Sequence, residues 1–451
     1  MTTPHDYFSA HVDRFISEWK EFLSFKSISA DPAYHDECVA CASWLRSHLE
    51  QLGFTASLWS SDTKPLVFAE RKGNPNKPTV LFYGHYDVQP ADPLELWKSN
   101  PFEPLMRDNR LYARGALDDK GQVFYFIKAL EALSVVGADL PTIKLLIEGE
   151  EESGSSAMIA GLPTWGEHLK ADILMVCDTA TVKLGLPTVT MGLRGVAHCE
   201  IRVHGPKADV HSGMYGGVIL NPLQALAAIV SSLHAADGSV AVPGFYDGVE
   251  ELTAEERAMV SRAPLSTTVM EEFLGVPLAG GERRFAPLER RGFRPTLEIN
   301  GLGGGYQGAG SKTIIPSHAM AKLSMRLVRG QDPEKTLAAV VKHIQKVAPE
   351  GVRVEVVDCA AVGPALQLST QSDVLETLKR AMLEEFGVEP AYVWEGASIP
   401  IIPLLAEISQ AEPLLVGFGL DEDNIHAPNE SFSLQQFEEG YRYVTAFLKA
   451  V

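Results

Sequence analysis

Between residues 55 and 178 the chain alternates short apolar runs with longer helical ones, and the apolar runs break off at polar residues of the kind that bind ligands. Strand-like stretches near 55–60, 66–71, 79–84, 142–148 and 171–177 are interleaved with helical periodicity over 36–53 and 122–133. This alternation constrains the fold more than composition does. Parallel neighbours in a sheet need a long crossover, usually a helix, so the pattern predicts an α/β layer on a mainly parallel sheet. An amphipathic helix over 5–24, with Phe8, Val12, Phe15, Trp19 and Phe22 at three- and four-residue steps, precedes the layer.

The pattern changes after about residue 190. A strand over 194–204, a helix over 221–234, strands over 295–300 and 318–328, a helix over 333–348 and a strand over 352–358 give the order β-α-β-β-α-β. That order is the ferredoxin-like (α+β) unit, a two-layer domain complete in itself. Residues 235–294 are an insertion within it, helical near 250–261 and 267–274. From about 366 the α/β pattern resumes, with a helix over 371–386 and strands near 390–394 and 413–418. A chain of 451 residues is too long for one core. The expected organisation is one α/β domain made of residues 1–190 and 365–451, interrupted by a smaller domain over 191–364.

Formal net charge is −19 and no block of Lys or Arg stands out, which argues against a nucleic-acid backbone or an anionic membrane surface as partner. The N-terminus lacks a basic region followed by an apolar core, and no run of 18 apolar residues occurs, so a cytoplasmic protein is expected. Five cysteines form a sparse, odd set. Cys177, Cys199 and Cys359 sit in apolar strand-like runs that predict buried thiols, and the Cys38/Cys41 pair lies within a helical pattern that reads as two helix-face thiols.

In an open parallel sheet, ligands bind beyond the carboxyl ends of the strands. His85 ends the strand 79–84 with Asp87 two residues on, Glu150, Glu151 and Glu152 follow the strand 142–148, and Asp178 follows 171–177. His426 comes after the strand 413–418, and Asp118 opens the helix that starts near 122. Each residue alone has an ordinary reading: a solvated acidic turn, a helix cap, a loop histidine. Their joint placement at the strand ends of one sheet points to a site. Two histidines and three carboxylates exceed what one tetrahedral zinc needs and suit two metals sharing a bridging carboxylate. One of the adjacent Glu151 and Glu152 would then bind metal while its neighbour serves as general base.

These residues lie in the motifs Tyr83-Gly-His-Tyr-Asp-Val-Gln-Pro90, Arg114-Gly-Ala-Leu-Asp-Asp-Lys-Gly121, Glu150-Glu-Glu-Ser-Gly-Ser155, Asp209-Val-His-Ser-Gly213, Asn300-Gly-Leu-Gly-Gly-Gly-Tyr-Gln307 and His426-Ala-Pro-Asn-Glu430. Over essentially its whole length the chain resembles the dinuclear-zinc peptidases that include aminoacylases, glutamate carboxypeptidases, desuccinylases and, most similar of all, the carnosinase-like cytosolic dipeptidases. The resemblance implies an aminopeptidase-like catalytic domain with an inserted lid and dimerisation domain, two divalent ions (zinc, or manganese or cobalt), and a homodimer that hydrolyses dipeptides. It implies His85, Asp118 and Asp178 on one metal, Asp118, Glu152 and His426 on the other, Glu151 as general base, Asp87 orienting His85, and a cis peptide between Asp118 and Asp119. His211 would steady the oxyanion in the partner's active site and Arg326 would receive the substrate carboxylate. Thr313, Glu395 and Ser398 match further substrate contacts. Thr179-Ala180-Thr181 departs from the aromatic residues of carnosinase-like animal members, which puts side-chain preference in question. The competing readings are an N-acyl-amino-acid deacylase or carboxypeptidase on the same scaffold, a non-catalytic metal-binding dimer, and a dinuclear phosphoesterase. The last lacks an added Arg/Lys cluster for a phosphoryl group.

Overall fold

The computed structural model describes residues 3–59 and 64–451, so the last residue of the strand expected at 55–60 lies outside the described residues. The chain divides into two compact units. One is Met1–Met191 with Leu368–Val393 and Leu404–Val451, and the other is Gly192–Gln367 with Trp394–Pro403, a stretch whose sequence pattern alone places it with the C-terminal segment.

In the first unit the strands Ile143–Glu148, Val80–His85, Ile173–Cys177 and Glu412–Val416 lie side by side in that order, all parallel. Antiparallel strands flank this centre: Leu66–Arg71 and Thr55–Trp59 on one side, Thr188–Leu193 on the other. Every residue of the His85 strand is buried, as a central parallel strand covered on both faces requires. The helix Lys120–Val135 is buried continuously from Lys120 to Leu133, without a polar stripe. A helix buried all round has neighbours all round. Here they include the two terminal helices, Pro4–Ser24 and Leu434–Ala450, which touch each other through Trp19 and Phe437 with ring centroids 4.8 Å apart. Lys120, fully buried, donates to the carbonyls of Phe22 (3.2 Å) and Phe25 (2.8 Å), which stop the N-terminal helix.

The His85 strand is tight where it meets the next helix. A Cβ on Gly84 would lie 2.7 Å from both Asp119 Oδ2 and Val123 Cγ2, so only glycine lets the Asp119 carboxylate approach the backbone there.

The second unit has a four-stranded antiparallel sheet in the order Thr296–Gly304, His318–Leu327, Gly195–His204, Arg353–Gly363. The helices Pro222–Ser231 and Pro333–Val347 pack on it, and the chain order of strands and helices is that of a ferredoxin-like fold. Along Gly195–His204, Ala197, Cys199, Ile201 and Val203 alternate into the core against Leu226, Ile229, Val340 and Ile344. All five cysteines are free, and four are buried. Cys359 is exposed, against the expectation of a buried thiol. Its strand is at the sheet edge and bulges there: pairing slips between Val357 and Ala360, and Asp358 takes a φ of 49°.

Candidate metal centre

The first unit gathers its ligand-type residues at the carboxyl ends of the parallel strands. His85, fully buried, ends its strand opposite Glu148, and Asp178 follows the adjacent strand. Asp118 precedes the buried helix, and the Asp118–Asp119 peptide is cis. His426 sits in a loop at a left-handed φ of 58°, within a run where Asn424 and Asn429 are also left-handed.

Asp118 is the hinge of the arrangement. Its Oδ1 lies 3.2 Å from His85 Nε2 and its Oδ2 lies 2.8 Å from His426 Nε2. His85 Nε2 is also 3.9 Å from Asp178 Oδ2, and His426 Nε2 is 3.1 Å from Glu152 Oε1. Two groups of donors result, each within 4.8 Å internally: His85, Asp119 and Asp178, and Asp118, Glu152 and His426. The resemblance implies Asp118 with both histidines; the structure adds the carboxylate of Asp119 beside His85.

Asp87 does two things. His85 Nδ1 is 3.1 Å from its carbonyl oxygen and 3.4 Å from its Oδ1, which holds the ring with Nε2 turned toward the carboxylates. Its two carboxylate oxygens also accept the backbone N–H groups of Glu151 (3.2 Å) and Glu152 (3.1 Å). One buried carboxylate therefore fixes a histidine and the acidic turn together.

The protonation pattern is that of a site built for cations. Burial by itself would raise the Asp118 carboxyl, but His426, hydrogen-bonded to it, and the neighbouring His85 override this and the pKa is lowered. Burial pushes Asp178 well up, reinforced by Asp119. Burial raises Glu152 too, with Asp118 beside it adding to the effect. Glu151 is pushed up to about 8, first by burial and then, against the pull of His85, by Glu152 and Asp118. Burial pulls His85 down, but Asp118 and Asp87 carry it well above its usual value, and Asp118 and Glu152 raise His426 to about 10. His85 Nε2 and Asp119 Oδ1 are buried with no hydrogen-bond partner among the described residues. Crowded carboxylates, histidines drawn up to balance them and unpaired inward-facing donor atoms fit divalent ions, and the all-N/O donor set fits zinc, manganese or cobalt.

A third cluster, Glu18, His48 and Glu131, has comparable spacing but is already filled. Lys128 Nζ lies 2.8 Å from His48 Nε2, 2.8 Å from Glu131 Oε2 and 2.5 Å from Glu18 Oε2, and Arg14 pairs with both glutamates. Burial and Lys128 hold His48 down at about 4, so it is a neutral acceptor in an ion network.

In the second unit, Arg326 Nη1 donates to Ser398 Oγ at 2.7 Å. His211 is exposed; its Nδ1 accepts from Gly213 N at 3.0 Å, and Thr313 is brought to it by the short pairing of Val210–His211 with Ile314–Ile315. The Glu395 N–H donates to the Gly192 carbonyl at 3.0 Å.

The family model described as Peptidase family M20/M25/M40 matches residues 81–450. The chain belongs to this family. The Cys-Gly metallodipeptidase dug1 of Schizosaccharomyces pombe is 31% identical to it, over 97% of this chain and 95% of that protein. The Beta-Ala-His dipeptidase of Homo sapiens is 30% identical, over 98% and 90%. Among solved structures, the M20 family metallo-carboxypeptidase Sso-CP2 of Sulfolobus solfataricus superposes with a TM-score of 0.86 at 32% identity, covering 96% of this chain and 98% of that one. The M20 chain is thus an enzyme, a hydrolase of peptide bonds.

Several residues that support the M20 site are not singled out by sequence reasoning. Glu430, fully buried, accepts N–H groups from Gly115 (2.8 Å), Leu117 (2.9 Å) and Asp118 (3.1 Å) and the Arg114 guanidinium (2.7 Å). It thereby fixes the loop that aims Asp118. Gln89 Nε2 donates to Glu152 Oε2 at 2.7 Å, and Asp119 Oδ2 accepts the His85 N–H at 3.2 Å. Glu430 and Gln89 lie in motifs already visible in the sequence, which is the one signal that marks them.

Proposed function

We propose that this M20 enzyme is a cytoplasmic dipeptidase that uses two divalent metal ions, zinc or in its place manganese or cobalt. The observation that carries the reading is the Asp118 carboxylate, with one oxygen facing His85 and the other facing His426. That disposition supports a bridge, with His85 and Asp178 completing one ion's protein ligands and Glu152 and His426 the other's. Bound there, the ions would act as Lewis acids on the scissile carbonyl and acidify the attacking water. Glu151, next to a ligand but in neither donor group, takes the proton from the attacking water and returns it to the leaving amine. Asp87 keeps Glu151 and His85 in register through the bonds described above. The two relatives named as dipeptidases support the substrate class, and five free cysteines suit a reducing compartment.

Arg326 would receive the substrate carboxylate, a task for a bidentate guanidinium, with Ser398, Thr313 and Glu395 as further contacts. Residues 1–190 and 365–451 would form the catalytic domain and 191–364 a dimerisation domain. Exposed apolar side chains on the second unit support a homodimer: Met214 is 68% exposed, Val218 75% and Leu302 61%, and Leu302 lies on an edge strand of the sheet.

A panel of free, N-acetylated and C-amidated dipeptides, offered to metal-stripped protein reloaded with zinc or manganese, tests the reading. Only the free peptides should turn over. Sso-CP2 carries the name metallo-carboxypeptidase and makes that the competing reading; preferred cleavage of N-blocked peptides would establish it.

His211, exposed and capping a four-residue helix, is proposed to act across the dimer on the partner's substrate. His211→Ala should be inactive yet dimeric and metal-replete. Mixing it with a variant defective in the metal site should recover activity in hybrid dimers; verified hybrids without activity would remove the cross-subunit role.

A further inference from the structure

Arg194 presents a half-buried guanidinium. It follows the strand Thr188–Leu193, its N–H donates to the Ala397 carbonyl at 3.0 Å, and its Nε donates to the Gly396 carbonyl at 3.0 Å. It therefore grips, with backbone and side chain together, the turn that carries Glu395 and Ser398. Arg326 holds the same turn from the other end through Ser398 Oγ. Arg291 flanks the same turn: a Cβ on Gly396 would lie 2.8 Å from Arg194 Nη2 and 3.5 Å from Arg291 Cγ. Burial, aided by the positive charges of Arg326 and Arg291 and opposed only by Glu298, holds Arg194 down to about 10. Three arginines around one turn favour an anion there.

We propose that Arg194 is a positioning residue of the subsite for the substrate's free carboxylate, holding the 395–398 turn and adding its positive charge to that of Arg326. The proposal rests on the dipeptidase reading and adds a second guanidinium to the carboxylate's recognition. Arg194 donates twice to the turn that presents Ser398. A peptide with a free C-terminus gains from both arginines; an amidated one gains little from either.

The test compares alanyl-alanine with alanyl-alanine amide on the full-length, metal-loaded protein, as substrates and as mutual competitive inhibitors. Arg194→Met should raise KM for the free acid about tenfold or more, with kcat within about threefold and the amide's affinity unchanged. Arg194→Lys should recover part of the loss, because it returns charge without the fork. Gly396→Ala supplies a second probe. Its φ is outside the left-handed region, so the backbone tolerates alanine, but the new methyl would sit 2.8 Å from Arg194 Nη2 and displace the guanidinium with its charge intact. It should raise the free acid's KM in the same direction. Equal losses on acid and amide, or an unchanged acid-to-amide ratio in both Arg194→Met and Gly396→Ala, would overturn the assignment. If Arg326→Met alone abolishes the preference for the free acid, the dipeptidase reading stands and only Arg194 falls; if native protein cleaves neither peptide, both fall.

Discussion

Glu151→Gln is expected to bind both metal ions normally and to lose about 10²–10⁴-fold in kcat, the usual contribution of a positioned general base and about 3–5 kcal/mol of barrier. The expectation follows from the division of labour in the acidic turn. Glu152 lies 3.1 Å from His426 and is fixed from behind by Gln89 at 2.7 Å, so its carboxylate is committed. Glu151 is anchored through its backbone, its N–H donating to Asp87 and its carbonyl accepting from Gly154 at 3.1 Å, and its carboxyl belongs to neither donor group. Glutamine preserves that anchor, the side-chain length and one oxygen, and removes only the capacity to accept a proton. Metal content by elemental analysis should therefore remain that of the native protein while turnover collapses. Turnover within about tenfold of native, with metal content intact, would transfer the base to another group. Loss of metal would instead make Glu151 a ligand.

The parallel centre of the first sheet was legible because Val80–His85, Ile143–Glu148 and Ile173–Cys177 are predominantly apolar runs separated by helical periodicity, a pattern that few folds other than a covered parallel sheet can bury. The ferredoxin-like order of the second unit was legible for the same reason, through the alternation from Ala197 to Val203. The convergence of His85, Asp118, Glu152 and His426 followed from the rule that such strands end at one crevice. What did not show was support made by chain segments distant in sequence. Glu430 bonds four donors between Arg114 and Asp118, a relation across more than 300 positions that no local periodicity reports. Asp119 looked like a helix cap, and only the bare backbone of Gly84 brings its carboxylate to His85. Cys359 misled because an apolar run predicts burial only while the strand keeps register, and the bulge at Asp358 breaks it.

Asp118→Asn is expected to be the most damaging single change, and its effect should be readable without any substrate. The native carboxylate offers one oxygen toward each histidine; an amide offers one oxygen and one NH2, and the NH2 cannot ligate a cation. Whichever way the amide turns, one ion loses a protein ligand, so metal content should fall below two per chain. Affinity at the weakened position should drop by more than the roughly 10–100-fold typical of losing an outer-shell partner. Because ions that bind only the folded state stabilise it, metal at about 1,000 times its Kd contributes about 4 kcal/mol per site. The rise in melting temperature on adding metal to stripped protein should therefore shrink markedly in Asp118→Asn, while the stripped variant still folds around the Glu430 anchor, which holds the backbone N–H of residue 118 rather than its side chain. Glu430→Gln makes the complementary comparison: it leaves every proposed ligand in place but weakens the hold on the Arg114–Asp118 loop, so it should lower the stripped protein's stability as well as its metal affinity. A variant Asp118→Asn that keeps two ions per chain and the full metal-dependent rise in melting temperature would show that Asp118 is not a bridge and would shift that role to Asp119, its neighbour, which shares a donor group with His85 and Asp178.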